Sequence, residues 1–276
     1  MTAPSSLDHV IDAVQEAGRE IAAIAARGFR VEHKGAAGPV TEADRFADTL
    51  LRSELPRILP GAWLSEETAD DPARLSADAL WIVDPLDGTR EFTKHIPEYS
   101  VSVAYVRRGE PVIGVVHNPV TGDVFTAERG AGAFRNGHRV SVAEGERLLA
   151  SRSEAGKGEF ASLAGVWDLA PVGSIALKLA LVAAGEAAVT LSRGPKHEWD
   201  VCAGALIVAE AGGVATDVFG GALRYNQPFP KVKGVLAGAP KACARASASL
   251  QRVAASPRMA EFETPRRSPQ WPPRYL

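Results

Sequence analysis

The 276-residue sequence predicts a mixed α/β fold, with an α+β part over residues 1–145 and an α/β part over 146–255. Three patterns predict it. Apolar residues recur at three- and four-residue steps in two stretches before residue 60, Val-rich runs separated by turn residues fill 100–126, and helix-like segments alternate with strand-like ones from residue 148 onward. A chain of this length can bury a sizeable core in one large domain or two modest ones.

The elements follow in order. Leu7, Val10, Val14, Ala17, Ile21 and Ile24, with Asp8, Asp12, Glu16 and Arg19 between them, predict an amphipathic helix over 7–25. Thr41 marks an N-cap, and Phe46, Ala47, Leu50, Leu51 and Leu55 give a second helix that stops near Pro56 and Pro60. Trp63-Leu64 is a short strand ending in Ser65-Glu66-Glu67, and Ala79 to Val83 is a buried strand that delivers Asp84-Pro-Leu-Asp-Gly-Thr89 into a loop. The runs SVSVAYVRR, PVIGVVHNP and DVFTAE read as an antiparallel meander, continued by Ala133-Phe134 and an Asn136-Gly137 turn. Beyond it come strand-like 148–150, helix-like 175–184, strand-like 187–191, helix-like 201–211 and, after Gly212-Gly213, a further short strand. Residues 256–276, with Pro257, Pro265, Pro269, Pro272 and Pro273 among several arginines, predict a poorly ordered tail.

Composition narrows the function. Lys+Arg 31 against Asp+Glu 33 leaves a net charge of -2, which offers no basic field for a nucleic-acid polymer. Small anions can still be bound locally. Only Cys202 and Cys243 are present, so a disulfide framework is not expected, and a reducing, cytoplasmic setting is. Neither a signal-peptide core near the start nor an uninterrupted apolar run of membrane-spanning length is visible, and no membrane association is expected.

The candidate chemistry is carboxylate chemistry. Asp84 and Asp87 sit three residues apart around a turn that Gly88 permits, and two like charges so placed demand a cation. Oxygen donors suit Mg²⁺, which keeps several waters and is completed by substrate phosphate; zinc fits less well because the motif holds no His or Cys. Each acidic group also has a plain structural alternative. Asp84 to Thr89 can be an Asp-rich turn, Glu66-Glu67 a solvated acidic face, Asp200 a first-turn carboxylate favoured by the helix dipole, and Thr41-x-x-Asp44 a capping box. His95, His117, His138 and His197 lack metal-binding spacing and read as loop or surface residues, while Cys202 reads as a small buried apolar one.

Taken together, Asp44, Glu66-Glu67, Asp84-Pro-Leu-Asp-Gly-Thr89 and Trp199-Asp200, followed after eleven residues by Gly212-Gly213, resemble the spaced signature of the inositol monophosphatase superfamily. The resemblance covers roughly residues 7–240. It implies a layered α/β/α/β/α sandwich with the site at the junction of its two parts, and a phosphomonoesterase using two to three Mg²⁺ ions. By the same resemblance Glu66, Asp84 and the Leu86 carbonyl bind one ion, Asp84, Asp87 and Asp200 bind a second, and Glu66 helps to hold a third. Glu66 and Thr89 orient the attacking water, Asp44 supports Thr89, and the backbone N–H groups of Gly88 and Thr89 hold phosphate oxygens. Inhibition by Li⁺ and a homodimer are further implications.

Within the superfamily, DPLDGTREF from Asp84 to Phe92 is more similar to the DPLDGTKEF of the 3′(2′),5′-bisphosphate nucleotidases of CysQ type than to the DGTTNF of inositol monophosphatases. Ser151-Arg152-Ser153 resembles the SRSH of those nucleotidases, with Glu154 in place of the His. Arg193 stands roughly where inositol monophosphatases carry a Glu that binds inositol hydroxyls. Arg193 and Lys196 suit a second phosphate, or else form an ordinary basic loop. Gly173-Ser174, opening a helix that contains Lys178, matches a Gly-Ser/Thr element near the substrate, toward which Asp200 also faces; a plain helix start explains the pair as well. The resemblance thus implies a small phosphorylated metabolite, adenosine 3′,5′-bisphosphate, cleaved to AMP. Inositol 1-phosphate and fructose 1,6-bisphosphate are the alternatives within the fold. A non-catalytic binding protein is the alternative outside enzymology, and the intact Glu66, Asp84, Asp87, Thr89 and Asp200 argue against it.

Overall fold

The structure, a computed structural model, describes residues 5–33 and 38–254; the tail predicted over 256–276 lies outside the described residues. Helix α1 (Ser6–Arg27) opens behind a Ser5–Asp8 capping box and buries the stripe Val10, Val14, Ala17, Ile21 and Ile24. A short antiparallel ribbon, β1 (Val31–His33) with β2 (Pro39–Thr41), leads into α2 (Glu42–Ile58), which buries Ala47, Leu51 and Leu55. Seven strands then make one sheet: β3 (Ala62–Ser65), β4 (Ala79–Asp87), β5 (Ser100–Arg107), β6 (Glu110–Asn118), β7 (Asp123–Glu128), β8 (Gly132–Arg135) and β9 (His138–Val140), in that spatial order. A single helical turn, α3 (Thr89–Phe92), follows β4. The β3–β4 pair is parallel, and the later pairs are antiparallel, as short turns require.

The second half supplies β10 (Arg147–Ser151), α4 (Arg152–Gly156), β11 (Asp168–Val172), α5 (Ile175–Ala183), β12 (Val189–Ser192), β13 (Lys196–His197), α6 (Glu198–Glu210), β14 (Val214–Thr216), β15 (Lys231–Val232), β16 (Val235–Gly238) and α7 (Pro240–Ala254). Five of these strands form a sheet of order β11-β10-β12-β16-β14, parallel at β10–β11 and β10–β12 and antiparallel at β16.

The layering follows from which face each side chain takes. On β4, Trp81 and Val83 pack with α1 and α2, whereas Leu80 and Ile82 turn to the opposite face and pack with Leu179, Ala180, Val201 and Ala205 of α5 and α6. Beyond those two helices, Val235 and Ala237 close the same core from the second sheet. Leu148, Leu191 and Leu236 face outward from that sheet onto Ala242, Cys243 and Ala246 of α7. The result is five layers, α/β/α/β/α, and it explains why α5 and α6 are apolar nearly all round: sheets cover both of their sides.

Several local expectations are corrected. β4 does not end at Val83 but runs on to Asp87, with Asp84 opposite Ser102 and Asp87 opposite Ser100 and a bulge between. Pro85 lies in that bulge, where a residue without an N–H does not break the ladder. The helix expected to start at Val201 begins at Glu198, since the Asp200 carboxylate takes the His197 N–H at 2.9 Å and closes the first turn. The strand expected over 187–191 is shifted to Val189–Ser192. His117 is not a surface residue; it is buried, its Nδ1 2.9 Å from the Asp123 carbonyl and its ring against Gly18 of α1.

Candidate metal centre

Backbone pairing brings the distant acids together. Because β3 runs parallel to β4 with Ser65 beside Val83, the next residues along each, Glu66 just past the end of β3 and Asp84 still in β4, stand side by side, and the Glu66 N–H reaches the Val83 carbonyl at 3.4 Å. Ser102, opposite Asp84 on β5, donates its hydroxyl to the Trp199 carbonyl at 3.2 Å, which fixes the start of α6 and so Asp200 over the same point. Ligand oxygens of Glu66, Asp84 and Asp200 consequently lie within 4.8 Å of one another. Asp87 flanks them, with Oδ2 taking the Ser174 hydroxyl at 2.6 Å and the Ala176 N–H at 2.7 Å.

Such a cluster is costly without a cation. Burial, then the charges of Asp200, Glu67 and Asp87, push Glu66 up to about 8, although its side chain reaches the solvent-open side of the cluster. Burial and then Asp87 raise Asp200 to about 7. Asp84, wholly enclosed, is driven well above the carboxylate range by burial and by Glu66, Asp87 and Asp200. Burial also raises Asp87, despite the hydrogen bonds from Ser174 and Ala176. Four carboxylates that raise one another's proton affinity, without a His or Cys among them, form an oxygen donor set that fits a hard divalent ion such as Mg²⁺.

The other predicted residues gather around this centre. Asp44 makes both contacts weighed for it. Its Oδ2 takes the Thr41 N–H and hydroxyl, each at 2.7 Å, closing the capping box, while its Oδ1 takes the Thr89 hydroxyl at 2.8 Å. That hydroxyl is also 3.1 Å from the Leu86 carbonyl, but its single proton favours the shorter, charged acceptor. Gly88 has φ +99°, and a Cβ there would meet the Glu98 carbonyl at 2.9 Å, so the turn after β4 admits only glycine. Gly173 is equally confined, since a Cβ would lie 2.4 Å from the Glu91 side chain.

Lys196 lies close enough to the centre for its charge to act on Asp200, and both Lys196 and Arg193 have contacts to protein groups. Lys196 Nζ is 2.8 Å from Glu154, and Arg193 Nη1 donates to the Glu159 carbonyl at 2.9 Å. Burial raises Glu154, but the Lys196 ammonium together with the hydrogen bonds from Arg193 and Ser192 outweighs it and holds the carboxyl below its ordinary range. Glu154 also receives the Ser192 hydroxyl at 2.7 Å and the Arg193 N–H at 2.9 Å, so it anchors the whole 192–196 loop. Cys202 is enclosed and its thiol is driven far up by burial, as suits a packing residue rather than a nucleophile.

The profile of the inositol monophosphatase family matches residues 5–255, a span that takes in all of the described residues. The chain belongs to the inositol monophosphatase family. Among the family's named proteins, the inositol-1-monophosphatase of Rhizobium meliloti is 37% identical over 238 residues, covering 80% of this chain and 88% of that protein. The 3′(2′),5′-bisphosphate nucleotidase CysQ of Aggregatibacter actinomycetemcomitans is 32% identical over 235 residues, with 80% and 87% covered. The solved Thermotoga maritima IMPase superposes with a TM-score of 0.79 at 30% identity, covering 90% of this chain and 98% of that one. Membership of the inositol monophosphatase family makes the chain a metal-dependent phosphomonoesterase, and the family's metal is Mg²⁺.

Within this inositol monophosphatase fold, three charged groups, Asp48 and Lys178 buried and Glu98 half-buried, make contacts near the centre that the sequence did not reveal. Asp48 on α2 takes the Ser65 hydroxyl at 2.5 Å and the Thr68 hydroxyl at 2.7 Å, pinning the segment that carries Glu66. Glu98 takes the Gly173 N–H at 2.6 Å and Arg152 Nη2 at 2.5 and 2.7 Å, so Arg152 is joined to the Gly173 corner. Lys178 is fully buried on α5. Asp48 and Lys178 are charged residues at core positions of their helices, a conflict visible only once burial is known, and Glu98 lies in the loop between α3 and β5.

Proposed function

We propose that this phosphomonoesterase removes the 3′-phosphate of adenosine 3′,5′-bisphosphate, giving AMP and inorganic phosphate. The observation that carries the hydrolytic part is the meeting of Glu66, Asp84 and Asp200 within 4.8 Å, with Asp87 beside them. Bound Mg²⁺ there supplies positive charge for the phosphoryl oxygens and makes water more acidic. Glu66, on the open side of the cluster, is placed to receive a proton from the attacking water. Thr89 gives its own proton to Asp44 and so turns a lone pair of its hydroxyl toward that water. The N–H groups of Gly88 and Thr89 orient phosphate oxygens.

The choice of ester is supported by DPLDGTREF and by the two cations Arg193 and Lys196, which suit a doubly phosphorylated substrate. A second reading, inositol 1-phosphate, is favoured by the 37% identity to the Rhizobium enzyme and by the engagement of Lys196 with Glu154, which reduces the charge available to a second phosphate. Initial rates of phosphate release with Mg²⁺ separate them. The proposal expects the highest kcat/KM for adenosine 3′,5′-bisphosphate over inositol 1-phosphate and fructose 1,6-bisphosphate. A preference for inositol 1-phosphate would replace it with the second reading.

A further inference from the structure

Lys178 is only 2% exposed, and its ammonium lies among three consecutive main-chain carbonyls: Ser174 at 2.7 Å, Val172 at 3.1 Å and Gly173 at 3.4 Å. Three acceptors match its three N–H groups. Among the described residues no carboxylate forms an ion pair with it, so its direct partners are carbonyl dipoles, with the charges of Asp87, Glu91 and Glu154 acting on it only from a distance, an arrangement that packing of α5 does not call for. Its neighbours Leu177, Leu179 and Ala180 are a plain apolar helix surface.

The carbonyls of three successive residues can point at one atom only if the chain folds back on itself. It does so at Gly173-Ser174, where Ser174 has φ +50°, a left-handed conformation that a serine does not adopt unaided. The same corner aims its polar groups outward at the acidic centre. Ser174 Oγ donates to Asp87 Oδ2, stands 3.0 Å from Ser100 Oγ and caps α5 by accepting the Leu177 N–H at 3.0 Å, while the Ala176 N–H makes the second bond to Asp87. On the other side Glu98 grips the Gly173 N–H. The corner is therefore held from within by Lys178 and from outside by Glu98, and what it presents is the seat of Asp87.

We infer that Lys178 is a positioning residue for the divalent-cation site: its ammonium fixes the 172–174 corner, and the corner fixes the carboxylate of Asp87. The inference rests on reading the acidic centre as that site. Lys178 makes no hydrogen bond to Asp87 itself; its ammonium bonds the corner carbonyls, and the corner reaches Asp87 through Ser174 and Ala176.

The test is Mn²⁺ binding to the metal-stripped full chain, followed by loss of the free aqueous Mn²⁺ signal in electron paramagnetic resonance, with near-ultraviolet circular dichroism as the check on packing. Lys178→Met keeps the length and removes the ammonium; it is expected to weaken Mn²⁺ binding by roughly tenfold or more, the scale seen when groups behind metal ligands are lost. Lys178→Gln, which keeps an N–H donor, is expected to recover part of that loss. Leu179→Ala, a cut in the same helix that leaves the corner alone, is expected to lower Tm with Mn²⁺ affinity changed less than about twofold, because a cavity costs stability without moving a ligand. An unchanged affinity in Lys178→Met, or an equal loss in Leu179→Ala, overturns the inference while leaving the cation site standing. Absence of binding by the wild-type chain overturns both. Should Lys178→Met fail to fold, Lys178→Gln is read by the same criterion: an affinity equal to that of the wild type counts against the inference.

Discussion

At the scale of single residues, the centre separates groups that hold charge from groups that orient. Thr89 illustrates the second kind. Its hydroxyl is committed to Asp44 and it offers no negative charge to a cation. Thr89→Ala is therefore expected to lower kcat by about a hundredfold, the scale of a lost proton-handling contact, with half-saturating Mg²⁺ moved less than about threefold. Steady-state rates across a Mg²⁺ titration measure both quantities. Asp44→Ala differs, because the same carboxylate also closes the cap of α2. It should lose turnover and about 1 kcal/mol of stability together, as cap removal does, which a melt of the two variants side by side will show. The sequence left a cap and a supporting contact to Thr89 both open for Asp44. They are compatible because a carboxylate has two oxygens, one for Thr41 and one for Thr89.

At the scale of elements, the site depends on joints between segments far apart in the chain. Arg74, 1% exposed in the 3₁₀ turn Pro72–Ser76, donates to Asp70 at 2.5 Å, to the Asn226 side chain at 2.8 Å and to the Gln227 carbonyl at 3.0 Å. Glu198, the buried first residue of α6, accepts the backbone N–H groups of the same two residues at 2.7 and 2.9 Å. Asn226 and Gln227 are thus clamped between the segment downstream of Glu66 and the turn that carries Asp200. Arg74→Met removes the donors to the half-buried Asn226 side chain and Gln227 carbonyl and to the more exposed Asp70, and it is expected to cost about 1–3 kcal/mol in urea unfolding. Elements with a strong period or a clear cap, α1, α2 and the β5–β7 meander, were legible from their residues. The far end of β4 was not, because Asp84-Pro85 reads locally as a turn while pairing with Ser102 and Ser100 across the sheet keeps it a strand. The joint at Arg74 was not legible either, since one arginine between Asp71 and Leu75 looks like any surface residue until Asn226 closes over it.

At the scale of the molecule, five layers press the acids into a place where they raise one another's proton affinity. In the metal-free protein Glu66 near 8 and Asp200 near 7 hold protons that the unfolded chain, at 4.5 and 3.8, releases. The folded state then binds more protons than the unfolded one across that window. Stability from these groups is complete at low pH and is lost as pH rises through their folded values. Differential scanning fluorimetry with chelator should show Tm falling from about pH 5 to pH 8, and millimolar Mg²⁺ should flatten the fall because the ion replaces the protons. A flat profile with chelator would mean that the acids do not feel one another. The layered architecture was within reach of the family resemblance that the spaced motifs carry. The convergence of the acids was not, since it comes from the parallel β3–β4 register and the Ser102–Trp199 contact, which join residues 97 apart.

The central claim is that these acids bind Mg²⁺ as one unit, and calorimetric titration of Mg²⁺ into the wild-type chain and Asp84→Asn, with inorganic phosphate present, addresses it most directly. The account predicts saturable uptake by the wild type that is lost, or weakened by at least about tenfold, in Asp84→Asn. Equal uptake by both proteins, or none by the wild type, would contradict it.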